Sequence, residues 1–155
     1  MSRILALDIG TKRIGVAVSD SRQQMASSLT MVERRDYQQA VHRLKKYCLE
    51  YQPVLVVVGL PYDSRDGSPT PKCREIIEEA LSLREILGVP FIGVDERYST
   101  KNNTDFLIQV ADLSRQKRKQ AIDSLAAREI LQSYLDTKKG DDLATILALC
   151  PCTAH

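Results

Sequence analysis

Residues 3–19 read RILALDIGTKRIGVAVS, and this stretch decides the fold. Two apolar runs, Arg3–Ile9 and Arg13–Ser19, are separated by the short segment Gly10–Lys12, a pattern that predicts a β-hairpin. The first run carries an aspartate, Asp8, at its end. An acidic residue there can begin a turn, but the strand ends of an α/β sheet are also where ligands bind. Both interpretations of Asp8 stay open at this point.

Strand-like segments continue downstream of the hairpin. A third strand is predicted over Ser27–Val32. The run Val54–Leu60 (VLVVVGL) is apolar on both faces, which is typical of a parallel strand in the middle of a sheet. A fifth strand covers Phe91–Val94 and is followed by two acidic residues, Asp95 and Glu96. The order of these strands predicts an antiparallel meander followed by parallel pairs.

Helical periodicity fills the intervals between the later strands. Apolar residues recur every three or four positions between Tyr37 and Tyr51, and a second helix is predicted from a Thr70 N-cap to a terminating Gly88. We therefore expect an α/β fold with a mixed five-stranded sheet, made of a three-stranded antiparallel meander and βαβ units, with helices on both faces. After the fifth strand we expect a short helix capped by Ser99 or Thr100, which carries Phe106, Leu107 and Val110, and a last helix from Ala121 to Asp136.

The composition is that of one globular domain. With 155 residues, 43% of them hydrophobic and 27% charged, the chain can bury a substantial core. No apolar run approaches the ~20 residues that cross a bilayer, and no signal-peptide pattern follows Met1, so we expect a soluble, cytoplasmic protein. The four cysteines, at positions 48, 73, 150 and 152, lack the spacing of a zinc site, and we expect reduced thiols.

Acidic residues stand out because of where they fall in this order of elements. Asp8 closes the first strand, Asp95 and Glu96 follow the fifth, and Asp123 opens the last helix. A carboxylate on a packing face is costly unless it is paired or binds a metal, although the first turn of a helix also favours an acid electrostatically. Projection at about 100° per residue sets position 123 within the apolar arc of the helix, which is formed by Ala126, Ala127, Ile130, Leu131 and Tyr134.

Carboxylates that converge at one sheet edge repel one another unless a cation lies between them. Hard oxygen ligands of this kind select Mg²⁺ or Mn²⁺. A cluster that holds two such ions about 4 Å apart is suited to phosphodiester hydrolysis, in which one ion activates the attacking water and the other stabilises the leaving oxygen. The pattern therefore indicates a metal-dependent hydrolase, with Asp20 and Asp95 open as assisting acids.

Cations accompany each candidate ligand in the sequence. Residues 114–120 (SRQKRKQ) form a basic, polar connector just before Asp123 and contain no acidic residue. Other basic residues follow the first strand and Glu96. A charged run is usually a solvated loop, but cations beside every candidate ligand favour a polyanionic substrate. The candidate nucleic-acid-binding residues are Lys12, Arg13, Arg97, Arg115, Lys117, Arg118 and Lys119.

Four segments carry a likeness to one bacterial family. They are 6–20 (ALDIGTKRIGVAVSD), 58–61 (VGLP) with Asp66–Gly67, 94–97 (VDER), and 122–127 (IDSLAA) with 131–135 (LQSYL). Together they resemble the YqgF family of pre-16S rRNA nucleases, which are also described as Holliday-junction-resolvase-like proteins. The resemblance implies a ribonuclease H-like fold and a divalent-metal nuclease that acts at the 5′ end of the small-subunit rRNA precursor. The family's three catalytic and metal-binding acids correspond to Asp8, Glu96 and Asp123.

The resemblance divides the chain into a nuclease domain, 1–138, and a C-terminal tail, 139–155. The apolar stretch Leu143–Cys150 of the tail can dock on the domain or mediate a dimer, although a frayed terminus is the default expectation. Tyr98–Ser99 and the segment Lys101–Ala111 depart from the family pattern. Neither includes a candidate ligand, so these departures bear on the fit of the substrate.

Other functions stay open beside RNA processing, which we rank first and which suits a monomer or a weak homodimer. Cleavage of four-way junction DNA uses the same chemistry and predicts a dimer. The loop DIGT, Asp8–Thr11, resembles the first phosphate loop of actin-like and sugar-kinase ATPases, which predicts a nucleotide-binding module. The chain, however, has length for one such domain and shows no second loop of this type. A ribosome-assembly factor that binds RNA without cutting it is the last alternative, because intact ligands do not prove turnover.

Overall fold

The structure is a computed structural model that describes residues 2–96 and 115–150, with side chains from residue 125 onward in the second range. The five predicted strands all form, each within one residue of its predicted bounds. The described elements are β1 (Ile4–Ile9), β2 (Arg13–Ser19), β3 (Ala26–Glu33), α1 (Tyr37–Tyr51), β4 (Leu55–Leu60), α2 (Pro71–Leu87), β5 (Phe91–Asp95), α3 (Arg115–Thr137), β6 (Asp141–Asp142) and α4 (Leu143–Leu149).

Within the described residues the strands form one six-stranded sheet in the order β3-β2-β1-β4-β5-β6. Strands β1, β2 and β3 are an antiparallel meander, and β4 and β5 extend it from β1 in parallel, which confirms the predicted mixed sheet. The predicted number of strands is one short, because β6 pairs antiparallel with β5 through Ile92–Asp142 and Gly93–Asp141. Strand β6 consists of two exposed aspartates and lacks the apolar alternation that marks a strand, so it could not be predicted from the sequence.

Two hydrophobic layers cover the two faces of the sheet. Helices α1, α2 and α4 pack on one face, over strand residues such as Leu7 and Val58. Helix α3 packs on the other face, over Ala6 and Val57, and we call this side the α3 face. Strand β4 contributes to both layers, as its two-sided apolar run predicted. Both faces of the sheet are covered by helices. A site that uses strand residues is therefore expected where the strands end or where a helix crosses them.

Helices α1 and α2 begin and end where their terminal backbone groups are satisfied. The Asp36 side chain accepts hydrogen bonds from the backbone N–H groups at the start of α1, and the Thr70 side chain accepts one from the N–H of Cys73. Gly88 ends α2 with φ 71°, a left-handed conformation that glycine adopts without strain. The bounds predicted for α2, from the Thr70 cap to Gly88, are confirmed.

Helix α3 begins at Arg115, six residues before the predicted start at Ala121. The prediction of a polar connector over 114–120 is therefore wrong from Arg115 onward. Arginine, lysine and glutamine are good helix formers, but this segment has no apolar face, so hydrophobic periodicity does not reveal the helix. The short helix that was predicted after Ser99 or Thr100 lies outside the described residues.

The C-terminal segment folds back onto the sheet as far as it is described. Asp142 caps α4 by accepting a hydrogen bond from the backbone N–H of Thr145, at 3.1 Å. Leu143 and Ile146 are buried in the hydrophobic layer that α2 also forms. The expectation of a frayed terminus is therefore wrong for residues 141–150. This part of the tail docks on the domain, which was the other expectation.

The described cysteines form no disulfide bond. Cys48, Cys73 and Cys150 are free thiols, and Cys152 lies outside the described residues. Burial raises the pKa of the Cys48 and Cys150 thiols, which keeps them protonated near neutral pH. In the ranges that the structure describes, no helix combines the length and the apolar character needed to span a bilayer.

Substitution of two leucines of α4 tests whether this helix packs on the sheet in solution. Leu143 is 0% exposed and Leu149 is 70% exposed. We expect Leu143→Ala to lower the free energy of unfolding by about 2–5 kcal/mol, because it removes buried contacts and leaves a cavity. Leu149→Ala, on the same helix, should change that free energy by less than about 0.5 kcal/mol. Urea denaturation followed by circular dichroism measures both, and equal effects would mean that α4 is not docked in solution.

Candidate active site

Asp8 lies near the carboxyl end of β1, in the middle of the sheet. Side chains alternate along β1, so Asp8 shares the α3 face with Ala6, while Leu7 belongs to the opposite layer. Asp8 is half-buried. The parallel register pairs Leu7 with Val58, so the next position of β4, Gly59, lies beside Asp8. Asp8 and Gly59 therefore occupy one level of the sheet.

Glu96 reaches the same place from the next parallel strand. It directly follows β5, in which Val94 pairs with Gly59. Val94 belongs to the α3 layer, so side-chain alternation turns Asp95 to the other layer and returns Glu96 to the α3 face. The Oε2 atom of Glu96 lies 3.3 Å from the position that a β-carbon on Gly59 would occupy. The Glu96 carboxylate therefore lies over Gly59, beside the position of Asp8.

Gly59 adjoins the candidate site and is not among the residues predicted for it. A β-carbon there would lie 2.4 Å from Cδ1 of Ile130 in α3, which is closer than carbon atoms approach. Glycine at this point lets the end of the Ile130 side chain and the Glu96 carboxylate both lie against β4. A signal was present in the sequence, because a single glycine inside the apolar run VLVVVGL marks a close approach of a ligand or of another part of the chain.

Helix α3 covers this part of the sheet. Asp123 belongs to the helix, but its side chain lies outside the described residues. Position 123 precedes Ile130 by seven residues, which is about two turns and about 10 Å along the axis, on the same helical face. The predicted apolar arc of this helix is confirmed. Tyr134 is half-buried, and the other members are buried, namely Ala126, Ala127, Ile130 and Leu131.

The described side chains supply two of the three predicted metal ligands, Asp8 and Glu96. Among the described side chains, no group of three or more His, Cys, Asp or Glu residues is arranged to hold a metal ion. The third predicted ligand, Asp123, is not among those side chains. The meeting of all three carboxylates therefore stays a prediction.

The two other acids considered from the sequence lie elsewhere. Asp20 follows β2 at the end of the sheet opposite to Asp8, and its Oδ1 accepts hydrogen bonds from the backbone N–H groups of Met25 and Gln24. These bonds lower the pKa of the Asp20 carboxyl. Side-chain alternation along β5 turns Asp95 away from the α3 face, and Asp95 lines a cleft at the edge of the sheet together with Tyr62 and residues of both α3 and α4. Neither side chain shares the α3 face at the level of Gly59.

The basic residues near the first and fifth strands differ in their surroundings. Lys12 is exposed in the turn between β1 and β2. The Nε atom of Arg13 donates to Oε1 of Glu33 at 3.1 Å, so its charge is partly neutralised by β3. Arg97, which was predicted from its place after Glu96, lies outside the described residues.

The other four predicted phosphate-binding residues occupy the first turns of α3, and their side chains are not described. Because this segment is helical, Lys119 precedes Asp123 by one turn, about 6 Å along the axis. The spacing between these cations and the predicted ligand is thus set by the helix. The four residues are Arg115, Lys117, Arg118 and Lys119.

The fold is shared with a solved structure of a protein bound to a Holliday junction. The chain matches the structure titled "T. thermophilus RuvC in complex with Holliday junction substrate" with a TM-score of 0.54 over 91% of this chain and 99% of that chain, at 14% sequence identity. The sheet order and this match define a ribonuclease H-like fold. This fold, together with the family to which the chain belongs, puts the protein in the nuclease class of phosphodiester hydrolases.

The family follows from sequence comparison. The chain belongs to the family described as "RuvX: Holliday junction resolvase", whose model matches residues 2–137. A protein of Caldanaerobacter subterraneus subsp. tengcongensis, named "Putative pre-16S rRNA nuclease", is 42% identical over 137 residues, which is 88% of this chain and 98% of the relative. A protein of the same name from Thermoanaerobacter pseudethanolicus is 40% identical over 137 residues, with the same coverage. The family resemblance seen in the sequence is confirmed.

Gly59 and Gly93 give a matched test of the space in front of Glu96. A β-carbon at Gly93 would meet Leu60, Ile146 and Leu143, which belong to the opposite layer, whereas one at Gly59 meets Ile130 and Glu96. Both valine variants should lower stability because both overpack the core. Gly59→Val should in addition reduce the cleavage rate per folded molecule on the order of 10- to 100-fold, because it displaces a reacting group. Activity assays normalised to the folded fraction measure this, and equal rates in the two variants would contradict it.

Proposed function

We propose that this nuclease cleaves phosphodiester bonds with divalent metal ions held by Asp8, Glu96 and Asp123. The observation that carries the proposal is the position of Asp8 and Glu96 at one level of the sheet, with Gly59 beside them under α3. Two carboxylates that approach each other repel, and a cation between them removes the repulsion. In this proposal Asp123 contributes the third carboxylate from the helix.

The donor set fits a hard divalent cation. All three proposed ligands are carboxylates, and the two whose side chains are described, Asp8 and Glu96, share one face and one level of the sheet. Oxygen ligands of this kind favour Mg²⁺ or Mn²⁺, which we propose as the cofactor. When bound, such ions lower the pKa of the attacking water and stabilise the leaving oxygen.

Basic residues of the chain bind and orient the substrate strand around these acids. Lys12 is exposed in the turn after Asp8, and the four cations at the start of α3 precede Asp123 along the same helix. Arg97 adds a cation next to Glu96 in the chain. Such residues hold the phosphates on either side of the bond that is cut. Arg13 contributes less, because Glu33 already pairs with it.

The substrate that we propose is precursor 16S rRNA, cut near its 5′ end in the cytoplasm by the domain formed by residues 1–138. Support comes from the relatives that are 42% and 40% identical to this chain and carry the name pre-16S rRNA nuclease. One active site suffices to cut one strand, so a monomer or a weak homodimer is enough for this reaction.

Cleavage of four-way junction DNA is the second candidate, and the description of the matching family as a Holliday junction resolvase favours it. Resolution of a junction requires two cuts and therefore a dimer with two active sites. The solution mass of the protein in the presence of a junction separates this candidate from RNA processing. The nucleotide-binding module and the non-cutting RNA-binding factor find no such support, because the family and the relatives carry nuclease names.

Substitution of the three acids tests the proposed metal site. Asp8→Asn, Glu96→Gln and Asp123→Asn should each lower the cleavage of a precursor 16S transcript in Mg²⁺ or Mn²⁺ by more than about 100-fold. The reason is that even residues that only orient a metal ligand cost about 10- to 100-fold when they are replaced. The same variants should bind Mn²⁺ more weakly, as measured by electron paramagnetic resonance.

Asp20→Asn and Asp95→Asn are the matched controls, because each also replaces one carboxylate by an amide. Asp20 holds a turn at the far end of the sheet and Asp95 faces the other layer, so both should cut near the wild-type rate. Circular dichroism checks the fold of all five variants. Cleavage that survives Asp8→Asn or Asp123→Asn in folded protein would remove the proposed site.

Replacement of the four basic residues at the start of α3 by alanine tests substrate binding. Alanine preserves the helix, so the loss of charge is the main change. Each phosphate contact that is lost should reduce the slope of log K against log salt by about 0.7 for a single strand and about 0.9 for a duplex. Fluorescence anisotropy at several salt concentrations measures this for RNA and for junction DNA. Lys45 and Lys46, which are exposed on α1, are the control, and an equal effect of their replacement would contradict a specific interface.

A further inference from the structure

The turn that follows Asp8 is held from the opposite layer by one arginine. Arg34, which lies between β3 and α1, donates from Nη1 to the carbonyl oxygen of Gly10. Its backbone N–H donates to the carbonyl oxygen of Lys12 at 3.0 Å. The turn also closes on itself, since the N–H of Gly10 donates to the carbonyl oxygen of Arg13 at 2.9 Å. Arg34 thus contacts the backbone of the turn at two points.

Arg34 is itself anchored on α2. Its Nη2 atom donates to Oε1 of Glu79, and both side chains of this ion pair are 20% exposed. The guanidinium therefore links Gly10 to Glu79, and all three residues line a small cleft of about 200 Å³. A guanidinium is planar and rigid, so its two contacts fix the distance between the turn and the helix. A lysine at position 34 would provide a single charge on a flexible side chain and would not fix this distance.

One oxygen of the Arg34–Glu79 ion pair is left without a hydrogen bond within the described part of the chain. The Oε2 atom of Glu79 is buried and has no hydrogen-bond partner among the described residues. A buried carboxylate oxygen without a partner leaves its loss of hydration uncompensated. Partly buried ion pairs are also often no more stabilising than apolar residues of similar size. An arrangement with this cost, located directly behind the turn after Asp8, favours a role in the active site.

We propose that Arg34 and Glu79 are positioning residues for the catalytic end of β1. They act through the backbone of the Gly10–Lys12 turn, which begins two residues after Asp8 and carries Lys12. The inference rests on the proposed function, in which Asp8 holds a metal ion and Lys12 contacts phosphate. Small displacements matter at such a place, because a shift of about 1 Å in a reacting group can cost on the order of 100-fold in rate.

Two neighbouring glutamates of α2 provide the test. Glu78 pairs with Arg74 at 3.2 Å near the helix surface, whereas Glu79 pairs with Arg34. Glu79→Gln should lower kcat for RNA cleavage by about 10-fold or more, with a smaller change in KM, and should weaken Mn²⁺ binding in electron paramagnetic resonance. Glu78→Gln makes the same chemical change on the same helix but removes a more exposed ion pair, and it should leave both quantities near wild type. Arg34→Lys keeps the charge but loses the rigid double contact, so it should reproduce Glu79→Gln.

The Asp8→Asn variant separates failure of this inference from failure of the proposed function. When Asp8 is already replaced, adding Glu79→Gln should weaken Mn²⁺ binding no further, because both changes act on the same ligand. Normal kcat and Mn²⁺ affinity in both Glu79→Gln and Arg34→Lys, with cleavage lost in Asp8→Asn, would overturn the positioning role alone. Cleavage that survives in Asp8→Asn would overturn the proposed site itself.

Thermal denaturation of all variants distinguishes positioning from a purely structural role. A loss of activity that only follows the folded fraction, or an equal loss in Glu78→Gln and Glu79→Gln, would assign the Arg34–Glu79 pair to stability and overturn the inference. If Glu79→Gln does not fold, the folded Arg34→Lys variant carries the same comparison against Glu78→Gln. A loss of Mn²⁺ affinity in a variant with wild-type stability would support the positioning role.

Discussion

The packing of Ile130 on Gly59 is the contact on which the candidate site depends. Helix α3 comes so close to β4 here that a β-carbon on Gly59 would lie 2.4 Å from Cδ1 of Ile130. The missing side chain also leaves room for the Glu96 carboxylate, and Asp8 lies at the same level of the sheet. One residue without a side chain thus lets Ile130 of the helix and the Glu96 carboxylate both lie against β4.

The opposite layer of the protein supports this arrangement. Strand β1 is paired on both sides, which limits the movement of Asp8 along and across the sheet. The turn that follows Asp8 contacts Arg34, and Arg34 is joined to α2 through Glu79. Helix α2, on one face of the sheet, is thus joined through Arg34 to the turn that follows Asp8. A catalytic group on a strand end needs such support, because its geometry has to be kept within a fraction of an ångström.

Most of the fold could be predicted because its elements have strong local signals. Strands β1, β2, β4 and β5 are apolar runs, and α2 has a threonine cap, an N-terminal proline and a terminal glycine. The errors occurred where such signals are absent. Strand β6 consists of two aspartates, and the first turns of α3 are basic and lack an apolar face. The role of Gly59 could not be read fully from the chain, because its neighbour Ile130 is far away in the sequence.

The sequence by itself determined which elements carry the acids, namely Asp8 in β1, Glu96 after β5 and Asp123 in the last helix, and it located the basic residues before Asp123 but not the helix that contains them. The positions of these residues follow from periodicity and from neighbours along the chain, so they can be predicted without a structure. Only the tertiary structure decided that Glu96 shares a face with Asp8 while Asp95 faces the other layer, and that Asp20 lies at the far end of the sheet. The reason is that sheet order and strand register arise from contacts between residues distant in the sequence, and a shift of register by one residue moves every side chain to the opposite face.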